Sequence, residues 1–151
     1  MMGEYCLNNG IEVVTKNQKE RNIVSFGFWF NFGSMYESYG ENGITHFLEH
    51  IVNNQKFVQY IEDNGGIVDC STNKEYVSFN VTISSGDFVE SFTRMSNDLF
   101  YLKFTNDLIK SEKEIIYEEI SMYKSNYLED DLDNITSCIY SKEDSVNCPI
   151  V

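Results

Sequence analysis

Alanine is missing from this 151-residue chain, and Pro149 is its one proline. Both scarcities read as codon bias and carry no functional message. Positive charge is scarce too: 11 Lys and Arg stand against 24 Asp and Glu, for a formal charge of −13. With no basic patch to neutralise phosphates, the chain has no footing for a nucleic-acid partner, and an anionic membrane surface is disfavoured. Basic peptides, by contrast, would be attracted. No apolar run approaches the length that crosses a bilayer. Met1-Met2-Gly3-Glu4 has neither the basic nor the apolar segment of a secretion signal. Cys6, Cys70, Cys138 and Cys148 lack metal-knuckle spacing, so free thiols are expected. Together these features lead us to expect a soluble, cytoplasmic chain.

Enough apolar matter remains to build one domain over residues 1–151. The chain is 42% hydrophobic and 15% aromatic, with 11 Phe and 10 Tyr, which can furnish a core for one modest unit. Repeats and low-complexity linkers are absent. Residues 4–8 and 11–15 read as β-strands around an Asn9-Gly10 turn. Residues 23–32 alternate, with Val24, Phe26, Phe28, Phe30 and Phe32 on one face. Tyr39-Gly40-Glu41-Asn42-Gly43 then leads into a helix that Asn42 or Thr45 would cap.

A helix over 54–63, with Phe57, Tyr60 and Ile61 inward, stops at Asn64-Gly65-Gly66. Two strands follow, 67–72 and 76–83, the second carrying Val77, Phe79, Val81 and Ile83 on one face. Phe88, Phe92, Met95 and Leu99 recur at helical spacing, as a core stripe does. A last strong helix runs from about 106 to 125, and residues 132–140 have the pattern of a shorter one.

Histidine is scarce and the most telling. The chain has 2 histidines, and they stand in His46-Phe47-Leu48-Glu49-His50. Residues four apart share one helical face. Two neutral imidazoles there can hold Zn²⁺, with Glu49 beside them as a general base. The pattern is the zincin motif in reverse order, H-x-x-E-H. A catalytic zinc takes three protein ligands and keeps one position open. On the last strong helix Glu112, Ile116, Glu119 and Tyr123 share a face. Glu119 is the best third donor, although Glu112, Glu114, Glu118 and Glu119 also read as a hydrated acidic run.

These residues resemble the amino-terminal half-domain of the insulinase, pitrilysin and mitochondrial processing peptidase family of zinc metallopeptidases. Leu7 to Val14 looks like its opening hairpin, Gly33-Ser34-Met35-Tyr36-Glu37 like its Gly-Ser-x-x-Glu turn, and Asn42 to His50 like its zinc motif. Glu112 to Ile120 matches the helix that bears the family's third ligand. The resemblance implies an α+β fold, a mixed or antiparallel sheet with helices on one face, forming one half of a clamshell. It also implies Zn²⁺ on His46, His50 and Glu119, Glu49 as base, and Glu112 as a supporting carboxylate. An extended peptide would add to the edge strand near Asp69, Cys70, Ser71 and Thr72.

Two departures stand out. Ile51-Val52-Asn53-Asn54-Gln55 replaces the Phe-x-Gly-Thr that usually follows the motif, which leaves the spacing from His50 to Glu119 a few residues short. Asp69-Cys70 stands where the family has Asn-Ala, while Thr72 and Glu75 fit. Family members close this half with a second half or a homologous subunit, so the chain is expected to be incomplete toward its C-terminus. The resulting expectation is a zinc-dependent endopeptidase acting on small peptides or precursors. The rival is a non-catalytic subunit or peptide-binding module of a two-part peptidase.

Overall fold

In the computed structural model, residues 2–18, 20–38, 40–125, 135, 138–140 and 150 are described. The helix expected over 132–140 and the apolar run 147–151 fall largely outside them. Strands β1 (Met2–Cys6) and β2 (Glu12–Lys16) form an antiparallel hairpin. Its turn is closed by Leu7 N–H donating to Ile11 O and Gly10 N–H to Leu7 O. β3 (Ile23–Phe30) ends two residues earlier than its alternation suggested. Helices α1 (Ile44–Asn53) and α2 (Lys56–Asp63) come next. They are followed by β4 (Ile67–Thr72), β5 (Val77–Ser84), α3 (Phe88–Phe100) and α4 (Asn106–Ser125).

The main sheet is antiparallel throughout, in the order β3-β5-β4. Its register stacks Phe28, Phe79 and Cys70 in one row and Trp29, Ser78 and Ser71 in the next. Because strand side chains alternate, these rows face opposite sides. The inner side carries Val77, Phe79, Val81 and Ile83, all buried, against Val52 of α1, Phe57 and Ile61 of α2, and Met95 of α3. Burying each such side chain contributes about 1.5–3 kcal/mol. The outer side is lined by Ser25, Asn80, Thr82 and Asp69, with exposed Trp29 at one edge. An α+β fold with an antiparallel sheet and helices on one face is what the resemblance had implied. The α3 stripe divides, however. Met95 and Leu99 enter the core, while Phe92 remains 42% exposed and packs its ring on Phe26 and Phe28 at the sheet edge.

Two local devices shape the helices around the site. Helix α2 stops in a Schellman arrangement, with Gly65 at φ 73 and the Gly66 N–H bonded to Ile61 O, which turns the chain back into β4. At the start of α1, the expected capping by Asn42 or Thr45 does not occur: the cap is Gly43, without a side-chain bond. Glu37 does the work from outside the helix, its two carboxylate oxygens accepting from the N–H groups of Gly43 and Thr45 at 2.8 Å each. A carboxylate at this position satisfies orphan donors and complements the positive end of the helix dipole. Glu37 is in turn held by the 33–36 turn. There Ser34 and Met35 donate to Asn73 O and Lys74 O, and a Cβ at residue 33 would collide with both carbonyls. The β4–β5 turn therefore anchors the segment that starts the histidine helix.

Candidate metal centre

Ile51 and Val52 sink the far end of α1 into the molecule, which turns His46, Glu49 and His50 toward the junction with β4 and α4. His46 is buried, and the two imidazole rings meet edge to face with centroids 4.7 Å apart. α4 crosses beside them and delivers both carboxylates of its shared face. Glu119 Oε2 lies 3.3 Å from His50 Nε2 and 3.8 Å from His46 Nε2. Glu112 is buried, and His50 Nδ1 stands 3.1 Å from its Oε2.

This geometry has a chemical consequence. With Nδ1–H donating to Glu112, His50 keeps the lone pair of Nε2 directed at Glu119. Burial is the main cause that pushes the His46 pKa down, with the His50 charge acting the same way, against the raising effects of Glu119, Glu49 and Glu37. His46 is thereby held in the neutral form a metal ligand requires. Donor atoms of His46, His50 and Glu119 all lie within 4.8 Å of one another. Two imidazole nitrogens and a carboxylate oxygen at these separations suit a small divalent cation with nitrogen and oxygen ligands. A buried carboxylate orienting one imidazole is the usual outer support of such a centre. Glu119 is 35% exposed at its side chain, so the junction opens to solvent on that side.

Glu49 has a different partner. Its Oε2 accepts a hydrogen bond from Thr72 Oγ1 at 2.5 Å. Thr72 and Cys70 lie on the inner side of β4, with Cys70 Sγ 3.6 Å from Asn53 Oδ1 of α1. Burial, reinforced by Glu49 and Asp69, pushes the Cys70 thiol up to about 12. The side chains of Asp69 and Ser71 project to the opposite face, where Asp69 meets Asn80 and Ser71 accepts from Asn73. Of the four residues expected to meet a peptide, two therefore turn their side chains to α1, Thr72 to Glu49 and Cys70 to Asn53. The other two offer only backbone at this edge. Strand alternation alone carried that division.

Sequence reasoning missed Glu37 as the cap, since it stands outside the helix, and the Thr72–Glu49 bond, since its partners are 23 positions apart. It also missed a groove of about 520 Å³ beside His46, lined by Ile44, Phe47, Ile109, Ile116 and Ile120.

An α+β fold that sets an H-x-x-E-H helix against a glutamate of a second helix has the make-up of an inverted zincin. A family model described as Insulinase (Peptidase family M16) matches residues 12–150. The chain belongs to that family. It is 30% identical over 149 residues to an uncharacterized zinc protease of Bacillus subtilis (strain 168), covering 94% of this chain and 35% of that protein. It is 31% identical over 121 residues to the mitochondrial-processing peptidase subunit beta of Dictyostelium discoideum, covering 75% and 26%. A third relative, at 24% over 123 residues covering 77% and 25%, is the ubiquinol-cytochrome-c reductase complex core protein I of Euglena gracilis. In fold, it aligns with the crystal structure of a protease from Helicobacter pylori at a TM-score of 0.71 and 22% identity, over 82% of this chain and 31% of that one. The chain thus spans about a third or less of the length of these relatives. Among the described residues, no helix is long and apolar enough to cross a membrane.

Proposed function

We propose that this chain is the zinc-carrying part of a metallo-endopeptidase. The observation that supports it most is the convergence of His46, His50 and Glu119 donors within 4.8 Å, backed by buried Glu112. In this reading His46, His50 and Glu119 hold Zn²⁺, and Glu112 fixes the tautomer of His50 through its Nδ1–H. When bound, Zn²⁺ supplies Lewis-acid polarisation to the scissile carbonyl and the attacking water.

The protein's own part is proton handling and orientation. Glu49 Oε2 is engaged by Thr72, so Oε1 is the oxygen that takes the water's proton and delivers it to the leaving amine. An extended peptide pairs with the edge of β4 that carries no strand among the described residues, and Asp69, Cys70, Ser71 and Thr72 supply the main chain for its backbone hydrogen bonds. The apolar groove beside His46 accepts one of its side chains. The negative charge of the chain favours peptides with basic residues. The free thiols of Cys6, Cys70 and Cys138 suit a reducing compartment, and the cytoplasm is the reading we adopt.

A companion half or homologous subunit completes the enzyme, a reading that draws on the relative named as a subunit. An open site holds peptide and water in poor register. The isolated 151-residue chain should then turn over slowly or self-associate, and gain activity with a longer product or companion. Light scattering with peptide hydrolysis checks this; a monodisperse monomer at about 1–10³ s⁻¹ contradicts it. A second reading, a non-catalytic subunit that binds peptide or partner, is favoured by the relative named as a reductase core protein.

Glu49→Gln separates the two. As base and not ligand, it should keep its zinc while losing at least about a hundredfold in rate. Loss of the metal instead would make Glu49 a ligand. Absence of zinc-dependent cleavage in the wild type, with and without chelator, would favour the binding module.

A further inference from the structure

Glu49 meets β4 through Thr72, whereas His50 meets Glu112 of α4. A glutamate on a helix surface samples many rotamers, and holding it in one of them costs side-chain entropy. Thr72 is placed to do so. Its backbone is fixed at the end of β4 by pairing with Val77, and a β-branched side chain in a strand has restricted χ1 freedom. The 2.5 Å separation from Thr72 Oγ1 to Glu49 Oε2 is the length of a charge-assisted O–H···O⁻ bond. A hydroxyl has one proton to donate, so one carboxylate oxygen is tied and the other is left for a substrate water.

We propose that Thr72 is a positioning residue, which fixes the Glu49 carboxylate from the strand onto which substrate adds. This deepens the endopeptidase reading and rests on Glu49 being the base. It also gives the edge strand a second task. β4 has β5 on one side and no strand on the other among the described residues, so a peptide pairing there steadies the very strand that holds the base. Substrate docking and base alignment are thereby linked through one side chain. The expectation that Thr72 serves as a substrate contact is then narrowed: its main chain meets the peptide, and its hydroxyl serves Glu49.

The test compares Thr72→Val, which keeps shape and loses the donor, with Thr72→Ser, which keeps the donor. Both are made in the zinc-loaded chain assayed with its companion half. Misplacement of a reacting group by about 1 Å costs on the order of a hundredfold. Thr72→Val should therefore lower kcat tenfold to a hundredfold, roughly, with KM within about threefold of wild type. Thr72→Ser should restore kcat to within about threefold. Zinc content should match wild type in both.

A readout independent of turnover is a urea-unfolding cycle of Thr72→Val with Glu49→Leu. The two effects should be non-additive by about tenfold in the folding equilibrium constant, as for a hydrogen bond to a charged group. The proposal is overturned by unchanged kcat in Thr72→Val, by a rise in KM alone, by loss of zinc, or by strict additivity in the cycle. Failure of Thr72→Ser to recover kcat also overturns it. A wild-type chain that cleaves nothing even with its companion removes the base reading and this proposal together. Wild-type turnover that Thr72→Val leaves intact removes the positioning role alone.

Discussion

Between the main sheet and helices α2 and α3, the buried cluster is apolar, running from Phe57 and Ile61 to Phe79 and Met95. α4 is built the other way. Among its 20 residues the one fully buried side chain is Glu112, a carboxylate. Its apolar residues lie half-buried, as Ile116 does, or in solvent, as Tyr117 and Met122 do. The sheet side is held by the hydrophobic effect, which is tolerant of direction. The α1–α4 junction sets Glu112 against His50 and brings Glu119 beside both histidines, an arrangement that can serve a metal ion only at well-defined distances. The first region makes the fold, and the second makes the site.

The comparison can be broken from either side. The largest effect belongs to the core: Phe79→Ala, at a side chain 2% exposed, should cost about 3–5 kcal/mol. Urea unfolding of the metal-free chain reads this directly, and a cost under about 1 kcal/mol would show the cluster to be loosely packed. Next comes the junction. Glu112→Gln should weaken zinc affinity about tenfold to a hundredfold. It should also shift metal-free unfolding by less than Phe79→Ala does. Titration against a competing chelator measures the first quantity. Equal damage to folding from both substitutions would erase the distinction between the regions.

The smallest effect sits where the regions meet, at Cys70. Its thiol is held up at about 12, against an ordinary 9.0. The folded form thus keeps its proton over a range in which the unfolded chain ionises, and this contribution to stability falls as pH rises from 9.0 toward 12. At pH 8 iodoacetamide should label exposed Cys6 at least about tenfold faster than Cys70. Equal labelling rates would mean that β4 separates from α1 in solution.

The sequence made the two regions unequally legible. Period-two alternation in Val24–Phe30 and Val77–Ile83 gave the sheet and its inner face directly, because burial on one side of a strand leaves that pattern. His46, Glu49 and His50 were equally plain, being neighbours on one helix. Glu112 and Glu119 were visible as a shared face, but their acidic surroundings also fitted a hydrated surface, and only the crossing of α4 over α1 distinguishes the two. What escaped were bonds between elements distant in sequence, Glu37 to the start of α1 and Thr72 to Glu49. No periodicity encodes such pairs. Phe92 misled in the opposite sense: helical spacing marks a face as apolar without saying how far the sheet extends beneath it.

The central claim is that α1 and α4 meet to hold one metal ion. Plasma-emission analysis of the purified chain and its variants tests it most directly. The wild type should carry about one Zn²⁺ per chain, and His46→Ala, His50→Ala and Glu119→Gln should each lose most of it while keeping the folded core. Wild-type zinc content in all three variants would contradict the account.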